Sequence, residues 1–145
     1  MKRYHIAPEP VCEPEPERRK PMNCFDHEKL DVYKVAIEFV ILADEIIRFL
    51  PKGKAYLVDQ LQRAGSSIPL NIAEGAGEYS CNEKCRFYRM AKRSATECAG
   101  ILDVCFQLGL TEEIRHVKSR ALLLRIVAML TRMAKLSENS GSGSI

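Results

Sequence analysis

A proline inside a run that otherwise reads as a helix restricts this chain more than any other feature. The run is Gln60-Leu61-Gln62-Arg63-Ala64-Gly65-Ser66-Ser67-Ile68-Pro69-Leu70-Asn71-Ile72-Ala73-Glu74-Gly75. Proline has no amide hydrogen, so Pro69 cannot donate to the Gly65 carbonyl, and its ring crowds that oxygen. In a helix interior this costs about 3 kcal/mol. A lone surface helix cannot absorb that cost, whereas a helix held by neighbours on several sides can. The surrounding residues suit repair. Ser66 and Ser67 can bond back to carbonyls one turn earlier, and Gly65 leaves room for a neighbouring helix. Arg63, Asn71 and Glu74 add polar groups at helical spacing beside Leu61, Ala64, Ile68, Ile72 and Ala73. The run therefore predicts a helix kinked at Pro69 and packed inside a bundle.

A chain of 145 residues is one domain's worth. Its formal charge of +3 permits contact with nucleic acid without requiring it. Met1 to Pro21 holds no apolar segment of the kind a secretory leader needs, and no apolar run approaches the roughly 18 residues of a membrane span. The six cysteines contain no Cys-x-x-Cys pair. These features lead us to expect a cytoplasmic protein with reduced thiols and no membrane partner.

Residues 1–24 alternate proline (8, 10, 14, 16, 21) with Glu9, Glu13, Glu15 and Glu17, followed by Arg18-Arg19-Lys20. Such a stretch buries too little apolar surface to offset its ordering entropy, so a disordered tail is expected. Residues 137–145 carry Ser-Gly-Ser-Gly-Ser and are expected to be a flexible tail as well. The folded part is then 25–136, with four helices. The first is expected over about 27–50, with Asp26 as N-cap and Pro51-Lys52-Gly53 as the stop. It carries two apolar stripes: Val32, Ala36, Phe39, Ala43, Ile46 and Leu50, then Leu30, Tyr33, Ile37, Val40 and Ile47. That exceeds the arc a bundle helix needs, which points to cover from other subunits. The second helix is expected over about 55–74, ended by Gly75-Ala76-Gly77. In the third, from Ser80 to about 107, Ser80 and Glu83 form a capping box and Gly109 caps the far end. The fourth runs from Thr111, its expected N-cap, to Leu136. Alternating runs and Asn-Gly hairpin signals are missing. The fold class is all-α, an antiparallel up-down-up-down four-helix bundle.

Little in this inventory suggests catalysis or a cofactor. Cys81 and Cys85 share a helical face, but zinc needs three or four ligands and none of His5, His27 and His116 falls at a matching spacing. Cys98 and Cys105 fall at core positions. Ser66 and Ser67 lie in mid-helix without a Gly-x-Ser-x-Gly elbow. Arg63, Asn71 and Glu74 read as a buried network that fixes how helices meet, since one carboxylate without an acid, base or metal partner gives no reaction. Gly75-Ala76-Gly77 follows a helix rather than a strand and lacks the Gly-Lys-Ser/Thr of a phosphate loop. The segment with a binding character is Lys84 to Arg93. Arg86, Arg89 and Arg93 share one face there, flanked by Lys92 and Tyr88. Arginine pairs bidentately with phosphate, and tyrosine can stack on a base.

Asp31-Val32-Tyr33-Lys34, the run from Gln60 to Gly75, the segment from Arg86-Phe87 to Glu97 and the Leu108-Gly109-Leu110-Thr111 turn together resemble the four-helix-bundle family of ribosomal-RNA intervening-sequence proteins. The resemblance spans about residues 25–136. It implies an antiparallel bundle that assembles as a homopentamer, with no established catalytic residues. A related branch comprises accessory proteins of diversity-generating retroelements, in which a basic pentamer binds nucleic acid and a reverse transcriptase. Members often carry a basic residue after Gly-x-Gly where this chain has Glu78. The expectation is a non-enzymatic oligomeric scaffold associated with RNA or DNA. The alternative is a protein adaptor tethered through its N-terminal tail, without nucleic-acid binding.

Overall fold

The computed structural model describes residues 23–143. Within them lie four α-helices: α1 (Asp31–Arg48), α2 (Ala55–Gly77), α3 (Cys81–Gln107) and α4 (Glu113–Gly141). Two 3₁₀ turns, Asp26–Lys29 and Lys52–Lys54, precede α1 and α2. No strand occurs among the described residues, and the protein is all-α. Most of the expected N-terminal tail and the last two residues of the chain lie outside the described residues. None of the described helices is long and apolar enough to cross a membrane.

Each helix buries residues three or four apart, as a helix with one apolar face must. The α1 face is Val32, Val35, Ala36, Phe39, Leu42, Ala43 and Ile46. It meets Leu61, Ile68 and Ile72 of α2, Cys98, Leu102 and Cys105 of α3, and Ile126 and Leu130 of α4 in one core. The second apolar stripe of α1 is only partly covered. Tyr33 and Ile47 pack at the edge of the core, whereas Ile37 is 37% exposed and Ile41 58%. Three contacts show which ends meet. Cys85, early in α3, lies 3.5 Å from Glu138, late in α4. Asp103, late in α3, meets His116, early in α4, at 2.9 Å. The Arg115 guanidinium lies 4.5 Å from the ring centroid of Phe49, just past the end of α1.

α2 is continuous through Pro69, which is buried. Ser66 Oγ donates to the Gln62 carbonyl at 2.9 Å and lies 3.2 Å from that of Arg63. Gly65 is not the point of closest approach. A Cβ there would sit 3.8 Å from Phe39, an ordinary contact. Gly75 is that point: a Cβ would fall 2.8 Å from Tyr88 Cε1 and 3.0 Å from Phe87 Cβ. α2 therefore runs two residues past Gly75 instead of stopping there, and the missing side chain lets α3 close against it.

The other ends depart from expectation for local reasons. Asp26 does not cap α1. It opens the first 3₁₀ turn, where the Phe25 amide donates to Glu28 at 3.0 Å, and extended Leu30 separates that turn from α1. Ser80 does cap α3, accepting from the Glu83 amide at 3.4 Å, but the Glu83 carboxylate turns to Arg86 instead of completing the box. Gly109, at φ +69, closes α3 as a left-handed cap. The Leu110 amide reaches the Cys105 carbonyl at 2.9 Å, and the Gly109 amide reaches that of Phe106 at 3.0 Å. Thr111 does not cap α4: its hydroxyl is buried without a hydrogen-bond partner among the described residues, and Glu112 takes the N-cap position. α4 continues to Gly141 instead of ending at Leu136. Ser137 and Ser140 bond back to the carbonyls of Met133 and Leu136, each at 2.9 Å, and Glu138 engages Arg89 and Cys85 of α3.

Candidate nucleic-acid interface

The first half of α3 carries the cationic face. Ser80 starts the helix, and Arg86, Arg89 and Arg93 follow at three- and four-residue steps, so all three are exposed on one side. Arg86 donates to Glu83 Oε2 through Nε at 3.1 Å and Nη2 at 2.9 Å. Its guanidinium lies 4.7 Å from the centroid of the Phe87 ring. The hydrogen bond to Glu83, and then that residue's charge, raise the Arg86 pKa. Arg89 pairs with Glu138. Lys92 is half-buried and Arg93 exposed, and neither joins an ion pair among the described residues.

Tyr88 does not flank this face. It is 5% exposed, its ring packs against Gly75, and burial raises its pKa. One hundred degrees per residue places it on the core side of α3, so it is not available to stack on a base.

Lys84 escaped the sequence reasoning. Its Nζ donates to the carbonyls of Gly75 at 3.1 Å and Ala76 at 2.9 Å. Those oxygens belong to the last turn of α2, which lacks intrahelical donors and forms the negative end of the helix dipole. A lysine early in the helix after a glycine-rich helix end was the available signal. Lys84→Met is expected to lower stability by about 1–2 kcal/mol, read as a shift of the urea midpoint with unchanged slope.

The residues of the α2 motif divide. Asn71 Nδ2 donates to the Ser67 carbonyl at 2.8 Å and to Ser67 Oγ at 2.9 Å. The Ser67 hydroxyl meets that of Ser94 on α3, also at 2.9 Å. This half-buried polar bridge fixes α2 against α3. Arg63 and Glu74 take no part: both are exposed, and neither side chain has a hydrogen bond or ion pair among the described residues. The expected Arg63–Asn71–Glu74 network does not form, because Asn71 faces α3 while the other two point outward.

Among the described residues, no three histidine, cysteine or acidic side chains gather as a metal-holding group. Cys24, Cys81, Cys85, Cys98 and Cys105 are free thiols. A second cationic surface also went unnoticed in the sequence. Between Glu113 and Glu138, α4 contains no acidic residue, while Lys118, Arg120, Arg125, Arg132 and Lys135 are exposed. The arrangement can hold anions electrostatically.

Residues 28–132 match the family described as 23S rRNA-intervening sequence protein, a span from the first 3₁₀ turn into α4. No curated protein matches the chain.

Proposed function

The chain belongs to the 23S rRNA-intervening sequence protein family, and from that premise we propose that it is a non-enzymatic, oligomeric helical scaffold associated with nucleic acid. The observation that carries this reading is the exposed row of Arg86, Arg89 and Arg93 beside Lys92 on α3. Two of these arginines hold carboxylates, but exposed ion pairs are worth only about 0–1 kcal/mol, so phosphate oxygens can replace Glu83 and Glu138 at small cost. Assembly is supported by apolar side chains that one chain leaves in water. Ile114 is 79% exposed, Leu124 59%, Val117 58% and Ile41 58%. The reading includes an antiparallel up-down-up-down bundle, which the Cys85–Glu138, Asp103–His116 and Phe49–Arg115 contacts favour. It also includes a bend of α2 at Pro69 and a ring of five copies. A reverse transcriptase is the protein partner the retroelement branch would supply.

Binding of a structured RNA should weaken steeply with salt, because each neutralised phosphate releases counterions. The combined variant Arg86→Glu, Arg89→Glu, Arg93→Glu should lower affinity on the order of 100-fold or more and flatten the salt slope, with native mass unchanged. Undiminished binding by that variant would refute the placement of the interface on α3.

A further inference from the structure

α1 and α4 carry complementary charged rows, each at seven-residue intervals. On α1 the row is Asp31, Glu38 and Glu45, and on α4 it is Lys118, Arg125 and Arg132. Seven residues is nearly two helical turns, so each row stays on one side of its helix, drifting only about 20° per step. All six residues are exposed, and none joins an ion pair among the described residues. Beside each row runs uncovered apolar surface. Ile37 and Ile41 accompany the acids, while Ile114, Val117 and Leu124 accompany the bases. The outer face of α1 also holds the Asp44–Arg48 pair, closed at 2.8 Å, and one further cation, Lys34.

The two rows also share a register. Arg115 over Phe49 sets where the start of α4 meets the end of α1. Counting away from that contact at 1.5 Å per residue, Glu45 and Lys118 lie about 6 and 4.5 Å along their helices. Glu38 and Arg125 lie about 16.5 and 15 Å along, and Asp31 and Arg132 about 27 and 25.5 Å. Each acid is thus level with one base to within about 1.5 Å. Rotation about an axis parallel to the helices keeps every residue at its own level. Copies related by such a rotation bring the acids of one α1 level with the bases of a neighbouring α4.

We propose that the subunit contact in the assembly is the outer face of α1 in one copy against the outer face of α4 in the next, closed by the Glu45–Lys118, Glu38–Arg125 and Asp31–Arg132 rungs. This rests on the oligomeric scaffold reading and specifies its interface. A second copy suits the surface better than nucleic acid does. Phosphates would satisfy the cations but leave Ile114, Val117 and Leu124 in water, whereas α1 brings isoleucines as well as acids. Different patches from the two copies make a head-to-tail contact, which closes into a ring when the rotation allows.

The test uses two variants of the full chain, one with Lys118→Glu, Arg125→Glu and Arg132→Glu, the other with Glu38→Lys and Glu45→Lys. Sedimentation at low salt should show each variant alone as a helical single chain at concentrations where the unaltered protein is assembled. Self-association should be weakened on the order of 100-fold or more, since like charges then face each other. An equimolar mixture should restore association, because every contact between unlike variants pairs opposite charges at the Glu45–Lys118 and Glu38–Arg125 rungs, and in a ring of five copies four of the five contacts can join unlike variants. Milder Lys118→Gln, Arg125→Gln and Arg132→Gln changes, which add no repulsion and suit a helix, should weaken assembly by a smaller factor. If both charge-reversed variants assemble like the unaltered chain, the contact lies elsewhere and this proposal fails while the scaffold reading survives. Single chains that the mixture does not repair would place the rows within one subunit and overturn the proposal. Intact assembly with lost RNA binding by the α4 variant would make its row a nucleic-acid surface, also against the proposal. An unaltered protein that never assembles would instead overturn the scaffold reading.

Discussion

Gly75→Val is expected to destabilise the protein by about 1–3 kcal/mol or more, as overpacking of a closed helix contact does. The first carbon of any side chain at this position would lie 2.8 Å from Tyr88 Cε1 and 3.0 Å from Phe87 Cβ. Neither obstacle is a flexible tip. Tyr88 is buried, and the Phe87 Cβ is fixed to the α3 backbone. Alanine brings about 1 kcal/mol of helix propensity yet meets the same atoms, so Gly75→Ala should also fail to stabilise. Gly100→Ala is the control. That glycine is exposed in the interior of α3 with nothing among the described residues within 4 Å of the added carbon. It should gain about 0.5–1 kcal/mol. Urea melts of the three variants, with opposite signs at the two sites, check the assignment. A stabilised Gly75→Ala would contradict it.

The second large effect is alkaline. Cys98 is fully buried, and burial, with the nearby Glu97 charge adding to it, pushes its thiol from 9.0 up to about 12. Burial also raises the Cys105 thiol and the Tyr88 phenol. Below about pH 9 the Cys98 thiol is protonated whether the chain is folded or not, and folding stability does not respond to it. Above that, the unfolded chain releases a proton that the folded chain keeps. Stability should therefore fall between about pH 9 and 12, by up to about 1.4 kcal/mol per pH unit for each fully titrating group. Cys98→Ala should flatten the slope while lowering stability at neutral pH through the atom it removes. A stability flat from pH 8.5 to 11 would contradict the buried thiol.

The sequence announced its helices most clearly where local chemistry and packing agreed. Ser80 followed by Glu83, and Gly109 after a long apolar pattern, located both ends of α3, because a side-chain acceptor and a left-handed glycine are requirements of the backbone itself. Pro69 signalled packing on several sides, and it is buried. Boundaries failed where tertiary partners decided them. Nothing near Leu136 shows that Glu138 will find Arg89 across the bundle and carry α4 to Gly141. Asp26 is a good capping residue placed before the wrong turn, since the extended Leu30 separates it from α1.

On the candidate surface, the three arginines could be read from their spacing because exposed charges follow helix phase. Tyr88 could not, because an amphipathic side chain suits either side of a helix, and only the gap at Gly75 shows which side it takes. Arg63, Asn71 and Glu74 share a motif, yet a motif does not imply contact. The acid-free stretch of α4 is legible in the sequence only position by position, because a net charge of +3 hides a cationic helix balanced by acids elsewhere.

The claim beneath the functional reading is that this chain covers its apolar flanks with further copies of itself. Native mass measured by sedimentation across a micromolar dilution series addresses it directly. The account predicts an assembled particle, a whole-number multiple of the single-chain mass that dissociates on dilution. A compact, fully helical single chain at every concentration would contradict it.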